Sequence, residues 1–470
     1  MSRNSNDPLH KTSGSVSVSP LLSFLLAVVS AWLNRRQSIL IRTRSCDRMT
    51  RRSRGRRANF VSGRDHLSAM LRRAVRAFCR FLATSSFAAL ALNVGPASAS
   101  EGVLTITTWN LQHSMSRSRF EEWVAFCSRY GWSDVEAERQ MATRPAGVTY
   151  CDANSGLLWP SDSVRESAPI RSSVAMAQKV SALRARAAAL ASDIFALQEV
   201  SDAEAVAEVF PRELYDIFAT DAPIPQNIAF AVRKGGYARP LAARQVDALA
   251  KRDSAGRAVR PGLELVVEVA GIRLTLLNVH LKAGCRAQVI DAPDVSGARD
   301  EQHKADIIES CRVLRSQIPE LEQWLDAQLT AGALPIVLGD FNRDLSGEVR
   351  RKLPARLDGS DPRAPVSEAT RIGSLLFEIS DGEPTGSRMT FVRADIQARD
   401  KRVKAPGTTR FDRVCHDRID QFLISGAVES ALKIDARRLV ASGADYGGDA
   451  YGPDRVLPSD HCPHTLRLTW

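Results

Sequence analysis

The stretch "PIVLGDFNRD", residues 335–344, decides how this chain is read. Ile336, Val337 and Leu338 form a short apolar run that predicts a buried strand. The run passes directly into Gly339, Asp340, Phe341 and Asn342. Gly, Asp and Asn are ordinary turn residues, so a solvated turn is one account of the sequence. The other is a functional site at the C-terminal edge of a strand, where α/β sheets commonly keep their chemistry.

Working outward, the same pattern recurs. "GVLTITTWNL" (102–111) reads as a β-branched strand ending at Trp109 and Asn110. "SVAMAQKVSALRARAAAL" (173–190) carries apolar residues at helical spacing, and "DIFALQEV" (193–200) follows as a strand ending at Gln198 and Glu199. "NIAFAVRK" (227–234) is a further strand. "GLELVVEVAGIRLTLLNVHLK" (262–282) is a hairpin turning at Ala270 and Gly271, whose second strand delivers Asn278 and His280. "CRVLRSQIPELEQWLDAQLTAG" (311–332) is an amphipathic helix with Pro319 as a local kink or break, and "RIDQFLIS" and "PHTLRLTW" close the chain as strands. Residues 112–170 read as a long irregular insertion, and 343–410 carry no clear assignment. Strands and helices alternate with hairpins between them, which predicts an α/β domain of mixed sheets.

The chain has 470 residues and a formal net charge of +11. Residues 1–99 hold 17 Lys/Arg against 3 Asp/Glu, leaving 47 against 50 in the remainder. The basicity therefore belongs to the leader and gives no ground for nucleic-acid binding by the body. Residues 1–69 read as a disordered basic leader, consistent with an overlong gene start. Residues 70–99 have the layout of a signal peptide: Arg72, Arg73, Arg76 and Arg80, then an apolar run from Phe81 to Val94, then Ala97-Ser98-Ala99. Cleavage after Ala99 is expected, leaving 100–470 as one domain that is secreted or periplasmic. The apolar runs fall short of the about 20 residues a membrane span needs, so no stable span is expected in the mature chain. A monomer is expected.

Of eight cysteines, six lie beyond the leader, an even number that suits disulfides in an exported protein. Cys285 lies just past the strand that delivers His280, and Cys311 opens the helix leading to Asp340. A bridge between them would close a polar loop, for about 3 kcal/mol on the chain-entropy account. By elimination, Cys127 pairs with Cys151 and Cys415 with Cys462.

Taken in order, "TWN" (108–110), "LQEV" (197–200), "NVHL" (278–281), "GDFN" (339–342), "RID" (418–420) and "SDH" (459–461) resemble the motifs of the endonuclease/exonuclease/phosphatase superfamily. Its members include pancreatic-type deoxyribonuclease, neutral sphingomyelinases and inositol-polyphosphate 5-phosphatases. The resemblance spans about residues 102–470. It implies a four-layer α/β/β/α sandwich of two mixed sheets, the DNase I-like fold, with the site where the loops of the two sheets meet.

It also implies roles. Phosphodiester cleavage needs charge neutralisation on the phosphate, an activated water and a stabilised leaving oxygen. Hard oxygen ligands suit Mg²⁺ or Mn²⁺; Glu199 is the first such ligand, with Asn110 and Asp460 beside it. His461 is the proton acceptor and Asp420 the carboxylate that holds its ring. Asp340 and Asn342 orient the attacking water and contact the phosphate. His280 bonds a phosphate oxygen or protonates the leaving group.

Two departures narrow this. His280 stands where abasic-site endonucleases of the superfamily have tyrosine. In the deoxyribonuclease branch a glutamate supports that histidine, whereas "APIPQNIAF" (222–230) offers Gln226 and Asn227. The expected activity is a divalent-metal-dependent phosphodiesterase, foremost a nuclease, acting on a phosphoester and possible nucleic-acid partner. A phospholipid hydrolase of sphingomyelinase type or a small-phosphoester phosphatase is the alternative. A non-catalytic binding module of the same fold would be expected to lose some of Glu199, Asp340, Asn342, Asp420 and His461.

Overall fold

Alternation along the strands builds the molecule. In a strand, successive side chains face opposite sides, and here every second residue enters one shared core. Leu104 and Ile106, Ile194 and Ala196, Leu274 and Leu276, Ile336 and Leu338, and Phe422 and Ile424 are all buried in one cluster. That cluster lies between two sheets. The intervening residues face outward and are covered by helices, which gives four layers.

The computed structural model describes residues 102–469, except 134–143, 152, 154–156, 159–167, 287–288, 385–386, 393, 396–401, 405–410, 414–418, 433–439 and 444–455. The leader and signal-peptide expectations therefore lie outside the described residues. We number the strands of the two main sheets β1 Val103–Ser114, β2 Ile194–Val200, β3 Tyr215–Ala219, β4 Asn227–Arg233, β5 Ala238–Val246, β6 Gly262–Val269, β7 Ile272–His280, β8 Pro335–Asp340, β9 Met389–Val392, β10 Ala394–Asp395, β11 Asp420–Ser425, β12 Val440–Gly443 and β13 His464–Thr469. The first sheet has the order β10-β12-β13-β1-β2-β4-β3, the second β9-β11-β8-β7-β6-β5. Both are mixed: β1 is parallel to β2 and β7 to β8, while β11 runs antiparallel to β8.

The helices are α1 Arg117–Arg129, α2 Ser173–Leu190, α3 Ala203–Val209 and α4 Glu301–Thr330, with shorter ones near the second sheet. Leu183 and Ala187 of α2 and Val206 and Val209 of α3 cover Trp109, Phe195 and Leu197 of the first sheet. Leu314, Ile318, Leu321 and Leu325 of α4 cover Leu277, Val279, Val337 and Leu423 of the second. This is the expected α/β/β/α sandwich. Among the described residues no helix is long and apolar enough to cross a membrane.

Three expectations need correction. The helix before β8 starts at Glu301, ten residues ahead of Cys311, and runs unbroken through Pro319. Asp300 caps it by accepting from the His303 N–H, and its first turns are charged and exposed, so they lack the apolar spacing that would mark a helix. The insertion after β1 is not wholly irregular, since α1 lies within it and buries Phe120, Trp123 and Phe126. Strands β3 and β5 carried no assignment. β5 is largely exposed and rich in Ala and Arg, so its pattern is weak.

Two of the expected disulfides are present, Cys127–Cys151 and Cys285–Cys311. Cys462 is disulfide-bonded; its expected partner, Cys415, lies outside the described residues.

The glycine of the opening stretch has a structural cause. Gly339 has φ +135°, and a Cβ there would stand 2.1 Å from the Val279 carbonyl oxygen of β7. Only glycine lets β8 pass this close to its neighbour while bringing Asp340 level with His280. Gly339→Ala should therefore destabilise the protein by on the order of 2–4 kcal/mol, measured by urea unfolding; a loss below half a kcal/mol would refute the close approach.

Candidate active site

The inner-face alternation continues past the apolar core into polar residues. On β7 it runs Leu274, Leu276, Asn278, His280; on β8, Ile336, Leu338, Asp340; on β1, Leu104, Ile106, Thr108, Asn110. The first polar layer knits the sheets together. Gln198 Nε2 donates to Asn278 Oδ1 at 2.8 Å, and Asn278 Nδ2 donates to the carbonyls of Leu197 and Ala229 at 3.0 and 2.9 Å. Above that layer stand the charged residues.

Register aligns them. His280 pairs with Asp340, and Asp340 with Asp420, across three adjacent strands. All three are buried. From the first sheet, Asn110 reaches across: its Nδ2 donates to Glu199 Oε1 at 3.1 Å and to Asp340 Oδ2 at 3.0 Å. Strict alternation would turn Glu199 to the outer face with Leu197. Instead β2 slips register there, and Glu199 takes φ +57°. A non-glycine residue in this region costs about 1–3 kcal/mol and persists only where the surroundings hold it. Gln112, His113 and Asn342 share the conformation, at φ +48°, +50° and +50°.

His461 precedes β13, and its Nδ1 donates to Asp420 Oδ2 at 2.6 Å. Ser459 Oγ fixes the loop by donating to the Asn110 carbonyl at 2.7 Å and accepting the His461 N–H at 3.1 Å. Asp460 is half exposed, with Oδ1 3.9 Å from His461 Nε2. Asn342 donates its N–H to Asp340 Oδ1 at 2.7 Å and its Nδ2 to the Leu281 carbonyl at 3.0 Å. The sequence-expected residues thus come together on one edge of the sandwich.

The proton affinities diverge. His280 Nε2 lies 3.5 Å from Asp340 Oδ2 and 3.8 Å from Glu199 Oε1. Burial, with the Arg260 guanidinium, holds His280 well below its ordinary value, so the ring is neutral. Burial also lowers His461, but the charge and hydrogen bond of Asp420 outweigh it and hold the ring well above its ordinary value. Burial pushes Glu199 up, yet His113, His280 and the Asn110 amide together bring it well below the carboxylate range. Asp340 is pushed up to about 7 by burial and by the charge of Asp420.

Sequence reasoning missed four contributors. Arg260 donates to the carbonyls of His280 and Leu281 at 3.2 and 2.8 Å and feels the charges of Glu199 and Asp340. It sits in "VRPG", where only its place ahead of a strand could have marked it. His113 lies 3.6 Å from Glu199 Oε2. Its ring meets Thr149 Oγ1 at 3.3 Å and Gln226 Nε2 at 3.2 Å, so Gln226 serves His113 and not His280. Gln112 accepts the Asp460 N–H at 3.0 Å, and Lys179 bonds the Gln112 carbonyl at 2.6 Å.

Among the described residues, two groupings in this site could hold a cation. Asp340, Asp420 and His461 each offer a ligand atom, all within 4.8 Å of one another. In this group His461 Nδ1 is already engaged with Asp420 Oδ2 at 2.6 Å, which ties two of the three ligand residues to each other. Glu199, held anionic, is the better centre. Asn110 presents its amide nitrogen to the carboxylates while its Oδ1 takes the Gln112 N–H at 2.9 Å, so ligation by Asn110 requires the amide to turn over. The donor set fits Mg²⁺ or Mn²⁺: hard oxygens around buried acids whose mutual repulsion a cation would relieve.

No protein-family model matches the chain, and no curated protein matches it. Among solved structures it is similar to D. rerio TDP2 complexed with single strand DNA product: 13% identity, 78% of this chain and 98% of that chain covered, TM-score 0.37. It is also similar to an endonuclease/exonuclease/phosphatase family protein from Bacteroides thetaiotaomicron (12% identity, 79% and 99% covered, TM-score 0.37). The human Nocturnin catalytic domain with bound sulfate is a third (12% identity, 78% and 96% covered, TM-score 0.36).

The Asp340 shift gives a test without metal. Between the ordinary carboxylate value and about 7, folded Asp340 holds a proton that the unfolded chain has lost. Stability then falls as pH rises through that window. In chelated protein, Asp340→Asn should gain on wild type from pH 4 to 7, by on the order of 1 kcal/mol per pH unit, and level off above. Urea unfolding across this range checks it; a constant difference would refute the raised affinity.

Proposed function

We propose that this chain, whose fold and ordered motifs are those of the endonuclease/exonuclease/phosphatase superfamily, hydrolyses a phosphodiester with Mg²⁺ or Mn²⁺ at the site built on Glu199. The observation that carries the reading is the Asn110 amide shared between Glu199 and Asp340, beside the His461–Asp420 pair. Glu199 would hold the cation, with Asp460 and a turned Asn110 completing the protein's share. When bound, the cation would neutralise phosphate charge and stabilise the leaving oxygen.

The chain's own groups supply the rest. The Arg260 guanidinium, which feels the charges of Glu199 and Asp340, and the neutral His280 would meet phosphate oxygens. His280 can donate from Nε2 without adding a charge that would oppose the cation. Asp340 and Asn342 orient the attacking water. His461 takes its proton on Nε2, and Asp420 stabilises the imidazolium that results. The Asp460 charge is one of the causes that raise the proton affinity of His461, so Asp460 engaged as a ligand would favour the base form of the ring. The disulfides Cys127–Cys151 and Cys285–Cys311 support an exported protein, secreted or periplasmic.

The purified mature chain should hydrolyse a bis-aryl phosphodiester, and DNA or RNA, with added Mg²⁺ or Mn²⁺, and stop with EDTA. Activity that survives exhaustive chelation would remove the role given to Glu199. His461→Ala should lose about 10²–10⁴-fold in kcat, with a lowered Tm because Asp420 is left buried without its partner; Asp420→Asn, which leaves no buried charge, should also lose kcat with the smaller change in Tm. A wild-type rate in either variant would contradict the pairing.

A further inference from the structure

We infer that Lys179 is a positioning residue for Glu199, acting through the one peptide group that joins Gln112 to His113; the inference rests on the metal role proposed for Glu199. Each carboxylate oxygen of Glu199 has its own holder. Oε1 accepts from Asn110, and Oε2 accepts from the His113 backbone N–H at 3.1 Å. That N–H belongs to the same planar trans peptide as the Gln112 carbonyl, so the two point in opposite directions. The carbonyl accepts from Lys179 Nζ at 2.6 Å. A single rigid plate is thus gripped at one end by a lysine and presents its other end to Glu199.

The plate needs the grip. Gln112 and His113 both adopt left-handed backbone angles, φ +48° and +50°, which only an over-determined setting maintains in non-glycine residues. Packing does not call for a lysine here. Position 179 lies on the face of α2 that buries Ala175, Met176, Leu183 and Ala187, and Lys179 is fully buried among them. An apolar residue would serve that face at no cost in buried charge. Burial pushes the Lys179 ammonium down to about 7, while the charges of Glu199 and Asp460 pull it back up.

The test uses the mature chain carrying Lys179→Met, an apolar stand-in of similar length. In metal-free protein, hydrogen–deuterium exchange of the segment containing the His113 amide should rise at least tenfold. By calorimetric titration, the Mn²⁺ Kd should rise at least tenfold, while Tm stays equal or increases. Unchanged exchange, or a lowered Tm with an unchanged Kd, would overturn the inference and leave Lys179 a packing residue. Should Lys179→Met fail to fold, Lys179→Gln, which keeps a shorter donor, is judged by the same two readouts. Wild type that binds no Mn²⁺ would count against the proposed function, and the exchange comparison would still judge the clamp.

Discussion

Two carboxylates, one from each sheet, share a single amide nitrogen: Asn110 donates to Glu199 Oε1 and Asp340 Oδ2 at 3.1 and 3.0 Å. The remainder of the site depends on that bridge. An unpaired buried carboxylate costs several kcal/mol, and these two stand close enough to repel each other as well. The sandwich meets this demand in layers. Apolar residues separate the sheets at depth, the Gln198–Asn278 bond ties them at middle height, and charges occupy the rim. Gly339 lets β8 lie tight against β7 so that the rim residues come level.

The same scaffold sets two histidines apart. His280 and His461 are both buried near acids, yet one is kept neutral and the other kept protonated. The difference lies in the contact. His461 has a carboxylate in direct hydrogen bond at 2.6 Å, whereas His280 has none nearer than 3.5 Å and has Arg260 close by. Direct contact with a carboxylate, or the lack of it, is thus enough to set the resting proton state of two like side chains apart.

Much of this was legible in the sequence because strands announce themselves by β-branched runs, and each run ended on a polar residue. Asn110, Glu199, His280 and Asp340 stand at or near such strand ends, whereas Asp420 opens β11 and His461 precedes β13; the roles of all six are legible only through the ordered motifs and the resemblance they carry. The Cys285–Cys311 pair is legible from its place beside the helix, and Cys127–Cys151 by elimination. What could not be read were effects of backbone irregularity and of distant partners. The slip in β2 turns Glu199 inward, and no alternation rule predicts it. His113 and Gln112 looked like the start of an irregular insertion because they lie in left-handed turns at the end of β1. Lys179 read as an ordinary helix residue, since its partner, the Gln112 carbonyl, lies 67 residues away. The sequence places the start of α4 too late because most of its first ten residues are exposed or half-buried and carry no apolar stripe.

The proposed division of roles puts a divalent cation on Glu199 and a proton-handling pair on Asp420 and His461. Anomalous scattering from crystals soaked in Mn²⁺ separates these roles directly. The expected result is a peak within about 2.0–2.3 Å of a Glu199 carboxylate oxygen, with His461 still bonded to Asp420. A peak held by Asp340, Asp420 and His461, with none at Glu199, would contradict it.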